Sequence, residues 1–304
     1  MPERLALRCA PAALARAEPL TGTASRVQRW VIVEQPGAWG SDALRQSGLD
    51  TGVAERLAAE ARRHGVRVLL GRRPGQRRLG ADRTVHLVHA AREARWIEQI
   101  ELPADEPAAL LDLDLGALAL PEPPGVGRPG PPLHLVCTNG RHDPCCADFG
   151  RPVVRALAAA GAPDVWEVSH VGGDRFAANL VCLPEGVYYG RVTPERAPGL
   201  VADLRAGFID LAHYRGRSFL PPVVQAADAF AREHLGERRV DGLALLSTER
   251  LDEGVVAVLV QQRDGDALRV VVRAERAPAV QLTCLVHEER RPWAYRLVEL
   301  GPPR

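Results

Sequence analysis

The residue types best suited to chemistry are concentrated between positions 137 and 179, where three cysteines and two histidines accompany glycine-containing turns. Cys137 and Cys146 have eight residues between them. That gap is too wide for a zinc-knuckle pair, but it suits a loop whose two ends face one metal. His170 and Asp174 follow, and the two glycines between them allow both side chains to turn to one side. Two loops that each offer two ligand-capable groups predict a metal site.

Short motifs around these residues match a known pattern. They are Cys137-Thr138 directly after a strand-like run, Asp143 to Cys146, Gly150-Arg151-Pro152-Val153, His170 to Ala177 with Asn179, and Leu183 to Gly186 followed by Tyr189-Gly190-Arg191. With these motifs the region resembles the sucrase/ferredoxin-like proteins, a branch of the thioredoxin-like 2Fe-2S ferredoxins. The resemblance implies a 2Fe-2S cluster in which two cysteines hold one iron and a His-x-x-x-His pair holds the other. By position it assigns Cys137, Cys146 and His170 as ligands.

The fourth ligand departs from that pattern, because Asp174 occupies the position of the second histidine, and a carboxylate is a rarer and harder ligand. Cys145 is the alternative. Adjacent side chains in extended chain point to opposite faces, so ligation by both Cys145 and Cys146 requires a sharp turn, which Pro144 permits. A carboxylate or water that completes a labile cluster, and the absence of any cluster, are further alternatives. The predicted metal ligands are therefore Cys137, Cys146, His170 and Asp174, with Cys145 as a further cofactor-binding candidate.

Several other residues carry weaker signals. Free cysteine is among the most buried residue types, so Cys9, Cys182 and Cys284 are interpreted as core packing. His142 lies in the first ligand loop and is an alternative ligand, although an unligated loop histidine is the favoured interpretation. Arg175 and Asn179 are candidates to hydrogen-bond the ligand loop or the sulfides of the cluster, and a surface or turn-stabilising role is the alternative for each.

The chemistry expected of such a cluster is one-electron transfer, so we expect an electron carrier that works with an unknown redox partner, and we assign no catalytic residue. One alternative is a thiol-based redox protein that uses Cys145 or Cys146, but such proteins typically place a CxxC at a helix start and the chain has none. A structural zinc module with the same ligand types is another. Sucrase activity is not supported, because no pair of facing carboxylates can be singled out.

Composition points to a globular protein and excludes several other classes. Hydrophobic residues make up 46% of the 304, and the formal net charge is +1, so nucleic acid is not an expected partner. No run approaches the length of a membrane span, and residues 1–20 lack the apolar core of a signal peptide, so we expect a cytoplasmic protein without a membrane partner. Six cysteines are too few for a disulfide scaffold. The oligomeric state is left open.

The elements that must position these residues form a repeated pattern on either side of a Pro/Gly-rich linker at 121–132. We expect residues 1–120 to form a thioredoxin-like domain without a cluster and 133–218 a thioredoxin-like 2Fe-2S ferredoxin domain, the two being a diverged repeat. Residues 219–304 are expected to form a C-terminal segment. The predicted fold is α/β: two thioredoxin-like (ferredoxin-type) halves in tandem with a small α+β C-terminal segment.

Hydrophobic patterning gives the predicted elements of each part. Before the linker we expect strands at 29–33, 66–70 and 84–88 and a largely helical stretch at 41–61. After it we expect strands at 133–136 and 165–168, a helix at 151–160, and a hairpin at 178–183 and 186–192. The C-terminal segment is predicted to contain a helix at 223–235, strands at 254–261, 267–274 and 280–287, and a tight turn at 263–266.

Overall fold

The computed structural model describes residues 8–263, 265–286 and 288–303. Within these ranges the chain forms five α-helices, which are α1 (Cys9–Ala15), α2 (Thr51–Arg63), α3 (Pro144–Ala159), α4 (Ala197–Arg205) and α5 (Pro222–Leu235). Short 3-10 helices lie at Pro107–Leu111, Ala117–Ala119 and Asp174–Phe176. The predicted mixed α/β class is confirmed.

Ten strands form one large sheet in the order β10-β9-β8-β6-β7-β2-β1-β3-β4-β5. They are β1 (Arg29–Glu34), β2 (Val66–Arg72), β3 (Asp82–Ala90), β4 (Arg95–Pro103), β5 (Arg128–Pro129), β6 (Leu133–Cys137), β7 (Val165–Val168), β8 (Leu180–Leu183), β9 (Val187–Tyr189) and β10 (Tyr214–Arg217). The predicted strands and the hairpin of the first two parts all lie in this sheet.

The two halves of the sheet have the same connectivity. In the first half β1 pairs in parallel with β2 after α2, and antiparallel β3 and β4 follow, which gives the order β2-β1-β3-β4. In the second half β6 pairs in parallel with β7 after α3, and antiparallel β8 and β9 follow, which gives β7-β6-β8-β9. The same order of strand, helix, strand and strand therefore produces the same sheet twice.

The halves meet edge to edge and share a core. β2 and β7 pair antiparallel through Gly71 with Val168 and Arg72 with Glu167, so the sheet runs through both halves without a break. One buried cluster contains Trp30 and Leu69 from the first half together with Trp166 and Leu135 from the second. Continuous burial on both faces is typical of strands that lie between two covering layers.

The start of α3 carries the sequence signals of a helix N-terminus. The buried carboxylate of Asp143 accepts a hydrogen bond from the Cys145 backbone N–H at 2.8 Å, and Pro144 occupies the first helical position. Gly150 lies against the end of β6, where a Cβ atom would stand 2.1 Å from the carbonyl oxygen of Cys137. Glycine at 150 thus lets the helix approach the strand that carries the first cysteine.

The C-terminal part consists of α5 and a four-stranded antiparallel sheet. Its strands are β11 (Leu243–Asp252), β12 (Val255–Gln262), β13 (Ala267–Arg276) and β16 (Trp293–Gly301), and a separate two-stranded ribbon joins β14 (Val280–Gln281) to β15 (Glu289–Arg290). The apolar side of α5, including Val224 and Ala231, packs on Val258 and Val270 of this sheet. The predicted helix and two of the three predicted strands are confirmed, and β11 and β16 were not predicted.

Three sequence predictions are wrong in extent. The helix predicted over 151–160 begins earlier, at Pro144, where Asp143 caps it. The helix predicted over 41–61 begins only at Thr51, because the Asp50 side chain accepts the Val53 N–H and caps it there, and the preceding residues form turns. The strand predicted over 280–287 pairs only at Val280–Gln281. His287, at the end of that prediction, and Asp264, in the predicted 263–266 turn, lie outside the described residues.

The boundary predicted at 121–132 contains one short element. Arg128–Pro129 pairs with Gln99 and Glu98 and forms the outer strand of the sheet. The division into domains at 120, 132 and 218 stays a prediction.

The helices of the described residues are short or amphipathic. None of them combines the length and the apolar character needed to cross a lipid bilayer.

Candidate metal centre

The predicted ligands come from one edge of the second half of the sheet. Cys137 is the last residue of β6, and His170 follows the end of the parallel strand β7. Cys146 lies in the first turn of α3, and Asp174 opens the 3-10 helix Asp174–Phe176. Ligand sites of open α/β sheets characteristically lie at the carboxyl ends of parallel strands, and this edge is such a position.

Four of the five predicted side chains converge here, and we call Cys137, Cys146, His170 and Asp174 the first donor group. Single donor atoms of the two cysteines and His170 all lie within 4.8 Å of one another. Asp174 joins them, since its Oδ1 accepts from the Cys146 thiol at 3.2 Å and lies 2.9 Å from His170 Nδ1. The group therefore presents two sulfurs, one imidazole nitrogen and one carboxylate oxygen toward a common point.

Burial differs across the first donor group. Cys137 and Cys146 are each 1% exposed and Asp174 4%, whereas 27% of the His170 side chain is accessible. His170 Nδ1 is itself buried and makes no aligned hydrogen bond, its approach to Asp174 being an ion-pair contact. A buried ring nitrogen that lies among thiols and a carboxylate is suited to coordinating a metal.

The fifth predicted residue, Cys145, lies elsewhere. It is wholly buried, and its Sγ stands 3.5 Å from the Sγ of Cys284. Successive residues of an α-helix point about 100° apart, so the first turn of α3 directs Cys145 and Cys146 to different surroundings. Of the two residues predicted as the fourth ligand, Asp174 is the one that contacts the other donors.

His142 also reaches this centre, although the sequence favoured an unligated loop histidine. Its ring stacks on the ring of His170 at a centroid distance of 3.7 Å, and its Nε2 lies 3.8 Å from Asp174 Oδ2. The Nδ1–H donates to the carbonyl oxygen of Ser41 at 3.2 Å, which in the neutral ring leaves a lone pair on Nε2. His142, His170 and Asp174 form a second triplet whose donor atoms lie within 4.8 Å.

Proton sharing links the thiols and the imidazole. The hydrogen bond from Cys146 is the main reason why the pKa of Cys137 falls to about 5, and the same contact raises the pKa of Cys146. Burial alone would lower the pKa of His170, but its contacts with Asp174 and Cys137 outweigh burial and raise the pKa to about 9. At neutral pH the metal-free group thus holds protons on Cys146 and His170, and a metal that binds there displaces them.

A buried arginine holds the turn that carries Asp174. Arg215 donates to the carbonyl oxygen of Gly172 at 3.1 Å and to Asn179 Oδ1 at 2.6 Å. Asn179 in turn donates to the carbonyl oxygen of Gly173 at 2.9 Å, as predicted, whereas the other candidate, Arg175, donates to Glu18 at 2.6 Å. Both glycines have positive φ, at 99° and 85°, a conformation that favours glycine. Arg215 was not predicted, because it lies beyond the motif.

The first half of the sheet supports the ligand loop from outside. Asn139 Nδ2 donates to the carbonyl oxygen of Gly40 at 3.1 Å, next to the bond between His142 and Ser41. Trp39, which precedes them, is fixed by a 2.8 Å bond from its Nε1–H to the carbonyl oxygen of Gln35. The turn after β1 therefore packs directly against the loop after β6.

Comparison with known proteins agrees with the motifs. The chain is 33% identical over 95 residues to altered inheritance of mitochondria protein 32 of Meyerozyma guilliermondii, a match that covers 28% of this chain and 34% of the relative. It is 34% identical over 98 residues to the protein of the same name from Debaryomyces hansenii, which covers 29% of this chain and 36% of the relative. The chain thus spans about a third of the length of these curated relatives. No solved structure gives a significant match.

A family model extends the likeness over a longer part of the chain. The sucrase/ferredoxin-like model matches residues 20–216, which include the ten-stranded sheet almost entirely and every member of the first donor group. This match covers more than half of the 304 residues. The chain belongs to the sucrase/ferredoxin-like family.

Proposed function

We propose that the protein is an electron carrier with a 2Fe-2S cluster held by the first donor group. In this assignment Cys137 and Cys146 hold one iron, and His170 with Asp174 holds the other. The observation that carries the proposal is the convergence of two buried thiols and an imidazole within 4.8 Å, at the sheet edge where the family motifs lie. We also propose that the two halves of equal strand order are thioredoxin-like.

The donor chemistry fits this cofactor. Thiolates and imidazoles are established ligands of 2Fe-2S irons, and the buried Nδ1 of His170, beside the carboxylate of Asp174, supplies a nitrogen for that role. Asp174 contributes an oxygen beside both Cys146 and His170. His142 offers a second nitrogen in the same place, so it is the ligand that we expect to substitute when Asp174 is removed.

The surrounding protein has identifiable tasks in this proposal. When bound, the cluster supplies a site that accepts and releases one electron at a time. Buried Cys137 and Cys146 keep their end of the site away from water, and Arg215 fixes the turn that presents Asp174. The partly exposed ring of His170 is the point of closest access from solvent, where we expect a redox partner to approach. A cytoplasmic location also remains part of the proposal.

The test is the iron and acid-labile sulfide content of protein purified without oxygen, measured for the wild type and for Cys146→Ser. The wild type should contain about two irons and two sulfides per chain, and Cys146→Ser should contain almost none. Cys182→Ser is the matched control, because Cys182 is equally buried but lies in a separate apolar cluster, and it should keep the wild-type content. Zinc without iron or sulfide in the wild type, lost in Cys146→Ser, would instead make the first donor group a zinc site.

A further inference from the structure

A second cluster of sulfur atoms lies on the other side of the first turn of α3. It consists of Cys9 at the start of α1, Cys145 in α3 and Cys284 in the ribbon segment between β14 and β15. The Sγ of Cys284 stands 3.5 Å from the Sγ of Cys145 and 3.5 Å from the Sγ of Cys9. Three thiols from the N-terminal, central and C-terminal parts of the chain thus meet at one point.

A buried carboxylate completes this cluster. Asp143 is fully buried, and single donor atoms of Asp143 and the three cysteines lie within 4.8 Å of one another. Its Oδ2 accepts from the Cys284 backbone N–H at 2.6 Å and lies 3.6 Å from the Sγ of Cys9. Its Oδ1 accepts from the Cys145 backbone N–H at 2.8 Å. We call Cys9, Asp143, Cys145 and Cys284 the second donor group.

Apolar packing does not account for this arrangement. Isolated buried cysteines usually contact aliphatic side chains, as Cys182 does among Val136 and Leu180. The apolar side chains clustered with the second donor group are only Ala10 and Ala177 among the described residues, and its sulfurs contact one another and a carboxylate instead. The Asp143 carboxylate accepts two backbone N–H bonds and still carries a buried negative charge beside three thiols, where a cation would stabilise it further.

A disulfide does not account for it either. One disulfide would join two of the three sulfurs and leave the third sulfur without a role. Four donors of these types are instead the usual number for a structural zinc ion, whose sulfurs at about 2.3 Å in tetrahedral geometry stand about 3.8 Å apart. The observed 3.5 Å separations come close to that spacing.

We propose that the second donor group is a structural Zn²⁺ site with three thiolate ligands and Asp143 as the fourth donor. Binding releases the three thiol protons to solvent and changes no oxidation state. The ion joins α1 and the C-terminal ribbon segment to the start of α3. Backbone N–H groups already orient the ligands, since the Cys9 N–H donates to the Cys284 sulfur at 3.3 Å.

The site is separate from the first donor group but adjacent to it. Cys145 and Cys146 are consecutive, and α1 packs against the 3-10 helix that begins with Asp174. Zinc at the second donor group would therefore hold α1 and the start of α3 in place, and these two elements support the first donor group. The proposal does not depend on which metal the first donor group binds.

The test is a titration of the reduced, metal-free full chain with Co²⁺ in the absence of oxygen, followed by Zn²⁺. We expect the double variant Cys137→Ser/Cys146→Ser, which removes the thiols of the first group, to bind one Co²⁺ per chain with thiolate charge-transfer and tetrahedral absorption bands. One equivalent of Zn²⁺ should abolish those bands. Adding Cys284→Ser, at a partly exposed position, should abolish binding. Adding Cys182→Ser should leave it unchanged.

Two results would overturn the proposal. One is retention of the tetrahedral cobalt spectrum in the Cys284→Ser variant, whose fold is checked by circular dichroism. The other is a disulfide in place of the metal. In that case the intact mass of the purified protein lies two hydrogens below that of the fully reduced chain, peptide mapping links two of the three cysteines, and the reduced protein binds neither Co²⁺ nor Zn²⁺. Cobalt binding by the Cys137→Ser/Cys146→Ser variant tests the proposal even if the Cys284→Ser variant does not fold.

Discussion

The two halves of the ten-stranded sheet share one connectivity but end their first strands with different chemistry. β6 ends in Cys137, beside Cys146 and His170. β1 ends in Glu34, whose carboxylate accepts the backbone N–H of Thr84 at 2.8 Å. The end of the first strand thus lies in a cluster of residues of metal-binding type in the second half, and it is held by hydrogen bonds within the protein in the first half.

The turns that follow these strands differ in the same way. In the first half Trp39 fills the turn and lies under the guanidinium of Arg72, 4.4 Å from the ring centroid. In the second half the corresponding turn carries Asn139 and His142, which bond to Gly40 and Ser41 of the first. The comparison indicates that one half of the sheet carries the donor side chains and the other half covers the loop between them.

The largest expected effect comes from substituting, in separate variants, the residues that end β6 and β1. Cys137→Ser should abolish iron binding, because it removes one of the two thiolates at the proposed centre. Glu34→Gln should keep the full iron content and lose about 1–2 kcal/mol of unfolding free energy, because its carboxylate bonds are weakened. Iron analysis and urea unfolding measure both. Loss of iron in Glu34→Gln would contradict the division between the halves.

Acidification should destabilise both halves through one buried histidine each. Burial lowers the pKa values of His86 in β3 and His134 in β6 to about 4, below the value near 6.5 of an unfolded chain. The unfolded state then binds more protons, so stability is full above about pH 6.5 and falls as the pH drops toward 4. Each histidine should cost up to about 3 kcal/mol at the acid end.

The comparison of variants makes this pH prediction specific. His86→Gln and His134→Gln should each reduce the loss of stability between about pH 7.5 and pH 5, as measured by urea unfolding. An acid loss that is identical in the wild type and in both variants would show that neither histidine is responsible.

The next prediction compares two glycines with positive φ, one in the turn that precedes Asp174 and one far from it. At Gly173 an added Cβ would lie 2.4 Å from a guanidinium nitrogen of Arg215, in a residue with φ of 85°. At Gly161, with φ of 66°, it would meet nothing within 4 Å. Gly161→Ala should cost about 1 kcal/mol and leave the iron content unchanged. Gly173→Ala should cost at least twice as much and lower the iron content, and equal effects in thermal unfolding and iron analysis would contradict the role assigned to the turn.

The smallest effect concerns the contact between the halves. Asn139→Ala removes the bond to Gly40 and two bonds within the ligand loop, so we expect a loss of about 1–2 kcal/mol and faster loss of iron to a chelator. Ser41→Ala is the control, because only the backbone carbonyl of Ser41 bonds to His142. Equal rates of iron loss to the chelator in the two variants would contradict the supporting role assigned to the first half.

The sequence predicted the parts of this account that depend on local signals. Spacing and motifs singled out Cys137, Cys146, His170 and Asp174, whose donor atoms the structure brings together, and alternating patterns located most strands of the sheet. The start of α3 was predicted too late, at 151 instead of Pro144, although Asp143 and Pro144 are the cap and first-position residues that such a start prefers. That error left Cys145 in a presumed extended loop, as an alternative ligand.

The remaining features depend on contacts between residues that are far apart in the chain. Arg215 reaches the turn after β7 from β10, and Cys9 meets Cys284 across 275 positions. Neither has a local pattern that sets it apart from an ordinary arginine or a buried cysteine. The strands β11 and β16 were missed for a related reason, since their outward residues are largely exposed and their hydrophobic alternation is weak.

The most direct test of the central proposal is electron paramagnetic resonance of the wild-type protein, purified without oxygen and reduced with dithionite, together with its visible spectrum. The account predicts a brown protein with a rhombic signal from a reduced 2Fe-2S cluster, and nitrogen hyperfine coupling that is lost in His170→Ala. A colourless protein that stays free of iron after reconstitution with iron and sulfide would contradict it.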